Sequence, residues 1–192
     1  MSRFKKINTS IKDVFAVESQ QIGDNRGFLS RLFCTKEMES MGWFGSLQQI
    51  NFTKTFKKGT VRGFHFQNPP YAEYKYVKCI RGEVYDVALD LRMGSDTFLQ
   101  THSEILSESN NTSLIIPPGV AHGFQALTDN VELIYFHSQP YQPEYDDGVN
   151  PQEPMISAHW PLEISNMSKK DANKNFLPNK FKGVKIELSP LQ

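Results

Sequence analysis

A guanidinium, an imidazole and a carboxamide fall within one short segment, Val61-Arg62-Gly63-Phe64-His65-Phe66-Gln67. Written as a strand, its alternation sends His65 to one face and Phe64 and Phe66 to the other, with Arg62 and Gln67 at opposite ends. A cation, an imidazole and an amide on one rigid element suit an anionic, oxygen-rich ligand and a proton-transfer step. A second imidazole, His122, follows Pro117-Pro118-Gly119-Val120-Ala121 at another turn-to-strand junction.

The elements that must position these groups read mostly as short strands. Apolar or alternating runs at 14–17, 28–33, 47–55, 60–67, 75–80, 83–91, 101–106, 113–116, 122–127 and 131–136 lie between turn signals. Arg81-Gly82 and Thr128-Asp129-Asn130 read as hairpin turns. Many short strands at close spacing predict an all-β sandwich or barrel. Residues 36–41 suggest one short helix. From about Tyr141 the repeated prolines Pro143, Pro151, Pro154 and Pro161 break regular structure. Residues 141–192 are therefore expected to be an ordered appendage packing on the barrel of a single domain 1–192. Within it Ser168-Lys169-Lys170-Asp171 has the form of a helix-capping box.

Composition narrows the function classes. The chain has 192 residues, 39% hydrophobic and 22% charged, enough for a real core. Basic and acidic residues both total 21, so the zero net charge gives no footprint for a nucleic-acid partner. No apolar run reaches the roughly 18 residues that a membrane span needs, and Met1 to Ser10 lack a signal-peptide apolar stretch. A cytoplasmic location is expected. Cys34 and Cys79 form no CxxC pair and read as two reduced thiols.

Several separate motifs then occur in one order. They are Asp24-Asn25-Arg26-Gly27-Phe28; Gly59-Thr60 through Gln67; Lys75 through Arg81-Gly82-Glu83-Val84-Tyr85-Asp86 to Arg92; Ser95-Asp96-Thr97-Phe98; Ile116 through Phe124; and Ile156 to Pro161. On these the chain resembles the dTDP-4-dehydrorhamnose 3,5-epimerases, over most of its length. The resemblance implies a cupin-like jelly-roll β-sandwich, usually a homodimer, acting without metal or redox cofactor. It implies a nucleotide-diphosphate-linked 4-keto-6-deoxyhexose as substrate, inverted at C3, C5 or both by proton removal and return on the opposite face.

The resemblance also assigns roles. His65 matches the base, and Asp171 the carboxylate that orients it. Lys75 matches the group that stabilises the enolate at O4, and Tyr135 the proton donor on the far side. Arg62 matches a diphosphate contact and His122 a second pocket histidine. Arg26, Gln49 and Asn51 match further ligand-facing positions, Tyr141 a nucleotide-side aromatic, and Gln67 ends the motif strand. Taken alone, each has a blander explanation. Lys75 would be a surface strand lysine, Tyr135 a core or interface residue, His122 a loop hydrogen bonder and Asp171 a cap. His102, His137 and His159 lie in no motif and read as structural or exposed.

The chain also departs from the pattern. Arg31 stands where many members have glutamate, and Glu73 where many have glutamine. A charge exchange is expected, with Arg31 facing Glu73 across the fold. His137 and Ser138 are further departures. Two other functions compete. One is a non-catalytic nucleotide-sugar binding protein of the same fold. The other is a metal-dependent cupin oxygenase, which needs two or three converging histidines and a carboxylate; His65-Phe66-Gln67 supplies no second imidazole two residues on.

Overall fold

A computed structural model describes residues 2–156 and 158–186. In chain order its elements are β1 (Phe4–Asn8), β2 (Phe15–Ser19), β3 (Gln21–Asp24), β4 (Gly27–Ser30), α1 (Thr35–Met41), β5 (Gln49–Thr55), β6 (Val61–Gln67) and β7 (Lys75–Arg81). They continue with β8 (Glu83–Asp90), β9 (Thr101–Ser107), β10 (Thr112–Ile116), β11 (Val120–Ala126), β12 (Val131–His137), β13 (Asp146–Gly148) and α2 (Lys169–Ala172). The strands pair in antiparallel fashion into a six-stranded sheet, β1-β2-β10-β7-β12-β5, and a five-stranded sheet, β13-β6-β11-β8-β9. β3 and β4 form a separate hairpin. This is the all-β sandwich expected from the strand pattern, with the jelly-roll form that the resemblance implies; among the described residues the helices are short and peripheral.

The two sheets enclose one core. Val77, Cys79, Leu114, Ile116, Leu133 and Tyr135 from the six-stranded sheet meet Val84, Ala88, Leu106, Val120 and Phe124 from the other. Each such aliphatic or aromatic side chain stabilises the fold by roughly 1.5–3 kcal/mol relative to leaving it exposed. Parity explains the chemistry of the interior: in β7, Lys75 lies on the same face as Val77 and Cys79, and in β12, His137 lies on the same face as Tyr135 and Leu133. The polar residues of the site therefore continue rows of core residues towards one end of the sandwich.

Both outer faces are covered as well. α1 lays Met38 and Met41 on Tyr76, Ile115 and Phe136 of the six-stranded sheet, with Trp43 completing the cluster. The helix stops where Gly42 takes φ 104°, a left-handed C-cap that a side chain would strain. On the other face Phe64, Phe66, Val87 and Leu89 are roofed by Val149, Ile156, Trp160, Leu177, Phe181 and Val184. The proline-broken C-terminal segment thus packs on the sheet that carries His65. β1 was not legible in the sequence. Lys5 and Lys6 interrupt its alternation, and it exists because it pairs with β2 at the sheet edge, where exposed lysines are tolerated.

Among the described residues no helix is long and apolar enough to cross a membrane.

Candidate active site

Arg62 and His65 are three residues apart, so a regular strand would point them to opposite faces. The structure removes the conflict with a bulge. His65 pairs with His122 and Arg62 with Phe124, so β6 spends three steps where β11 spends two. Residues directly opposite in an antiparallel pair share a face. Arg62 and His65 therefore both side with His122 and Phe124, which face the interior, while Phe64 and Phe66 pack outwards in the opposite cluster. Gly63 makes this possible. It has φ 117°, and a Cβ there would sit 2.4 Å from the Cα of Gly123.

His65 Nε2 lies 2.7 Å from Asp171 Oδ1. The helix that brings Asp171 is only a turn long, and Ser168 Oγ caps it by accepting from the Asp171 backbone N–H at 3.0 Å. Cap and dyad coexist because the cap uses the Asp171 backbone and the dyad its carboxylate. Burial pushes that carboxyl up, but hydrogen bonds from His65, Ser168 and the Gly63 amide outweigh it and hold the group below the usual carboxylate range. A second pair lies deeper: His122 Nε2 is 2.8 Å from Asp86 Oδ2, both nearly sealed from solvent. Burial, against the opposing pull of Asp86, lowers the ionisation of His122, and the nearby Lys75 and His65 lower it further.

Facing these from the six-stranded sheet are Lys75 and Tyr135. The Tyr135 ring meets His122 edge-on at 5.9 Å and lies parallel to His137 at 6.1 Å. Burial, reinforced by Asp86, raises the phenol far above its ordinary range, so it stays protonated through neutral pH. Lys75 is 9% exposed, and its ammonium lies 3.7 Å from Glu73 Oε1. Glu73 Oε2 in turn bonds His137 Nδ1 at 2.9 Å.

The remaining predicted residues divide. Gln49 and Asn51 line the same wall on β5: Gln49 Nε2 donates to Asn51 Oδ1 at 3.1 Å, and Asn51 approaches His137 Nε2 at 3.4 Å. Tyr141 is half exposed, and its backbone N–H is held by Gln49 Oε1 at 2.9 Å. Gln67 is buried and fully engaged. Its amide donates to the Tyr71 and Pro140 carbonyls and accepts from the Gln142 N–H, so it pins the loop that carries Tyr141. Arg26 is not gathered in; it sits at the tip of the β3–β4 hairpin, paired with Asp24 at 2.6 Å and 86% exposed.

The expected pairing of Arg31 with Glu73 is wrong. Arg31 pairs with Glu37 of α1 at 2.6 Å, while Glu73 is taken by His137 and Lys75. His137, read as structural or exposed, is not exposed: it is buried, and its ring meets Glu73 and Asn51. Parity was the available signal: two residues after Tyr135, it must share Tyr135's face. Asp86 was missed too. An aspartate between Val84 and Ala88 on the core-facing side of β8 is a position where an acid needs a partner. His102, on the neighbouring strand β9, contacts Ser10 and Glu104.

With this geometry in view, comparison with known proteins is specific. Residues 8–179 match the family profile for dTDP-4-dehydrorhamnose 3,5-epimerase. The enzyme of that name from Shigella flexneri is 39% identical over 168 residues, 87% of this chain and 92% of that protein. The one from Sinorhizobium fredii is 36% identical, over 92% of this chain and 93% of its own length. The crystal structure of dTDP-6-deoxy-D-glucose-3,5-epimerase from Legionella pneumophila, in complex with dTDP-4-keto-L-rhamnose, superposes with a TM-score of 0.88 at 33% identity, covering 96% of this chain and 99% of that one. The chain belongs to the dTDP-4-dehydrorhamnose 3,5-epimerase family of isomerases.

Proposed function

We propose that this protein epimerises a dTDP-linked 4-keto-6-deoxyhexose at C3, C5 or both. The observation that carries the reading is the placement of His65 and Tyr135 on opposite sheets, with Lys75 on the strand next to that of Tyr135 and facing the same interior. A C4 ketone acidifies the protons on C3 and C5. In this reading His65 removes one, with Asp171 orienting the ring and stabilising its charged form. The electron pair moves to O4, where the Lys75 ammonium meets the developing negative charge. Tyr135, held protonated by burial, returns a proton to the opposite face of the same carbon, which inverts it. The tyrosinate then regains its proton from solvent, and His65 loses its own.

Arg62 supports the nucleotide end of this reading, because a guanidinium fork suits diphosphate oxygens. Gln49, Asn51 and Tyr141 form the adjoining wall, with His122 as a neutral hydrogen-bonding group at the floor. Gln67 enters by holding the Tyr141 loop, and Arg26 rests on the family resemblance. The whole chain acts as one unit, since the C-terminal segment supplies Asp171 to a strand in its middle. A homodimer and a cytoplasmic location belong to the same reading. The first is supported by exposed Phe28 and Leu29 on the projecting hairpin and by exposed Ile50 and Phe52 on the unpaired edge strand β5.

The test is incubation with dTDP-4-keto-6-deoxyglucose in deuterated water, followed by NMR of the sugar. Solvent deuterium should enter C3, C5 or both with inversion. Its absence at both carbons, with the nucleotide sugar bound, would favour the non-catalytic binding protein.

A further inference from the structure

We propose that Glu73 and His137 are positioning residues for Lys75, aligned by a single directional hydrogen-bond chain that begins at the backbone of Tyr141. The role given to Lys75 rests on the epimerase reading above. The direction of the chain follows from its first link. A backbone N–H can only donate, so the atom of Gln49 that Tyr141 meets at 2.9 Å is the carbonyl oxygen. The Gln49 amide nitrogen is then the end that faces Asn51, and it donates to Oδ1 at 3.1 Å. That leaves the Asn51 amide nitrogen to donate to His137 Nε2 at 3.4 Å. An Nε2 that accepts puts the ring proton on Nδ1, which donates to Glu73 Oε2 at 2.9 Å. The other carboxylate oxygen, Oε1, faces the Lys75 ammonium.

The last link explains why an acid is useful here. A buried ammonium with no counter-charge is costly. Glu73 supplies the charge at 3.7 Å, beyond hydrogen-bond length, so the ammonium keeps its donors for a ligand oxygen. A carboxylate left free would swing in and consume one of those donors. His137 prevents this by holding the opposite oxygen, and its own ring is fixed by Asn51 and by stacking on Tyr135. A glutamine at position 73, as in many members, offers no anion, so Glu73 and His137 work as a coupled pair.

Two measurements test this. Steady-state kinetics on Glu73→Ala should show kcat lowered about 30-fold with KM within about threefold, the signature of a contact that matters in the transition state. His137→Phe should lose about tenfold in kcat, whereas His137→Asn, whose amide can donate where Nδ1 does, should stay within about threefold of wild type. Glu73→Ala/His137→Phe should be no slower than Glu73→Ala alone, because the chain is already cut. Folding is checked by circular dichroism, and if Glu73→Ala does not fold, Glu73→Gln takes its place in the same comparison. Losses that multiply, losses confined to KM, or His137→Asn no better than His137→Phe overturn the proposal. Independently of turnover, nitrogen NMR on ring-labelled histidine should show His137 as the Nδ1–H tautomer; the Nε2–H tautomer overturns it. A wild type that exchanges no deuterium ends the epimerase reading and the role of Lys75 with it. An active wild type with unaffected variants ends only the positioning role.

Discussion

His65–Asp171 and His122–Asp86 are the same pair of residue types at nearly the same distance, 2.7 and 2.8 Å, yet their surroundings differ. His65 is 36% exposed in its side chain and draws its carboxylate from a short helix 106 residues further along the chain. His122 is 6% exposed, and its partner lies on the neighbouring strand β8. Asp171 has several donors and is held ionised. Asp86 is fully buried, and among the described residues its Oδ1 has no hydrogen-bond partner. Burial divides the labour. An imidazole at the mouth can take up a proton and release it to solvent, while a sealed one is kept neutral and serves as a fixed donor.

His65→Ala should lower turnover by about 10²- to 10⁴-fold while the protein stays folded, a loss typical of removing a general base; a variant with near-normal deuterium exchange would reassign the base. Asp171→Asn should cost up to about 10⁴-fold, since an amide can hold the wrong ring tautomer and cannot stabilise the cation, and circular dichroism should show the fold retained.

The second pair is sharpened by pH. The folded-state ionisation of His122 lies below its unfolded value of about 6.5, because burial disfavours the cation. Above that value both states are neutral and the residue makes no pH-dependent contribution. As pH falls below it the unfolded chain takes up a proton that the folded chain resists, so stability drops. Urea midpoints of wild type should therefore decline between pH 7 and pH 5 more steeply than those of His122→Asn. Equal slopes would show that His122 is not protected from protonation. Asp171 acts in a lower window. Its depressed folded value adds stability above its unfolded value of about 3.8, which is lost as pH falls further. The smallest effect is Ser168→Ala, which removes one cap bond worth about 1 kcal/mol and should lower turnover only a few-fold by loosening Asp171. A loss as large as that of Asp171→Asn would mean the cap alone holds the dyad together.

Much of the frame could be read from local pattern. The Arg81-Gly82 turn holds because Gly82 takes φ 73° beside Thr128 and Val131, where a side chain would collide. The division between His65 and its flanking phenylalanines followed from alternation and is what the structure has. A strictly regular strand would set Arg62 and His65 on opposite faces; the bulge that brings them together is set by the pairing of β6 with β11 and not by β6 itself. The Arg31–Glu73 expectation failed for a similar reason. Two complementary charges say nothing about distance, and each found a nearer partner, Glu37 on α1 for one and His137 on β12 for the other.

What the sequence alone determined was the period-two pattern, the turn residues and the chemical types at His65, Lys75, Tyr135 and Asp171. Those are local properties, fixed by sterics and side-chain chemistry. Only the folded molecule decided which imidazole is sealed and which stands at the mouth, and that His137 and Glu73 join the wall behind Lys75. Burial and pairing between distant strands depend on how two sheets close over one another, and no short stretch of chain contains that information.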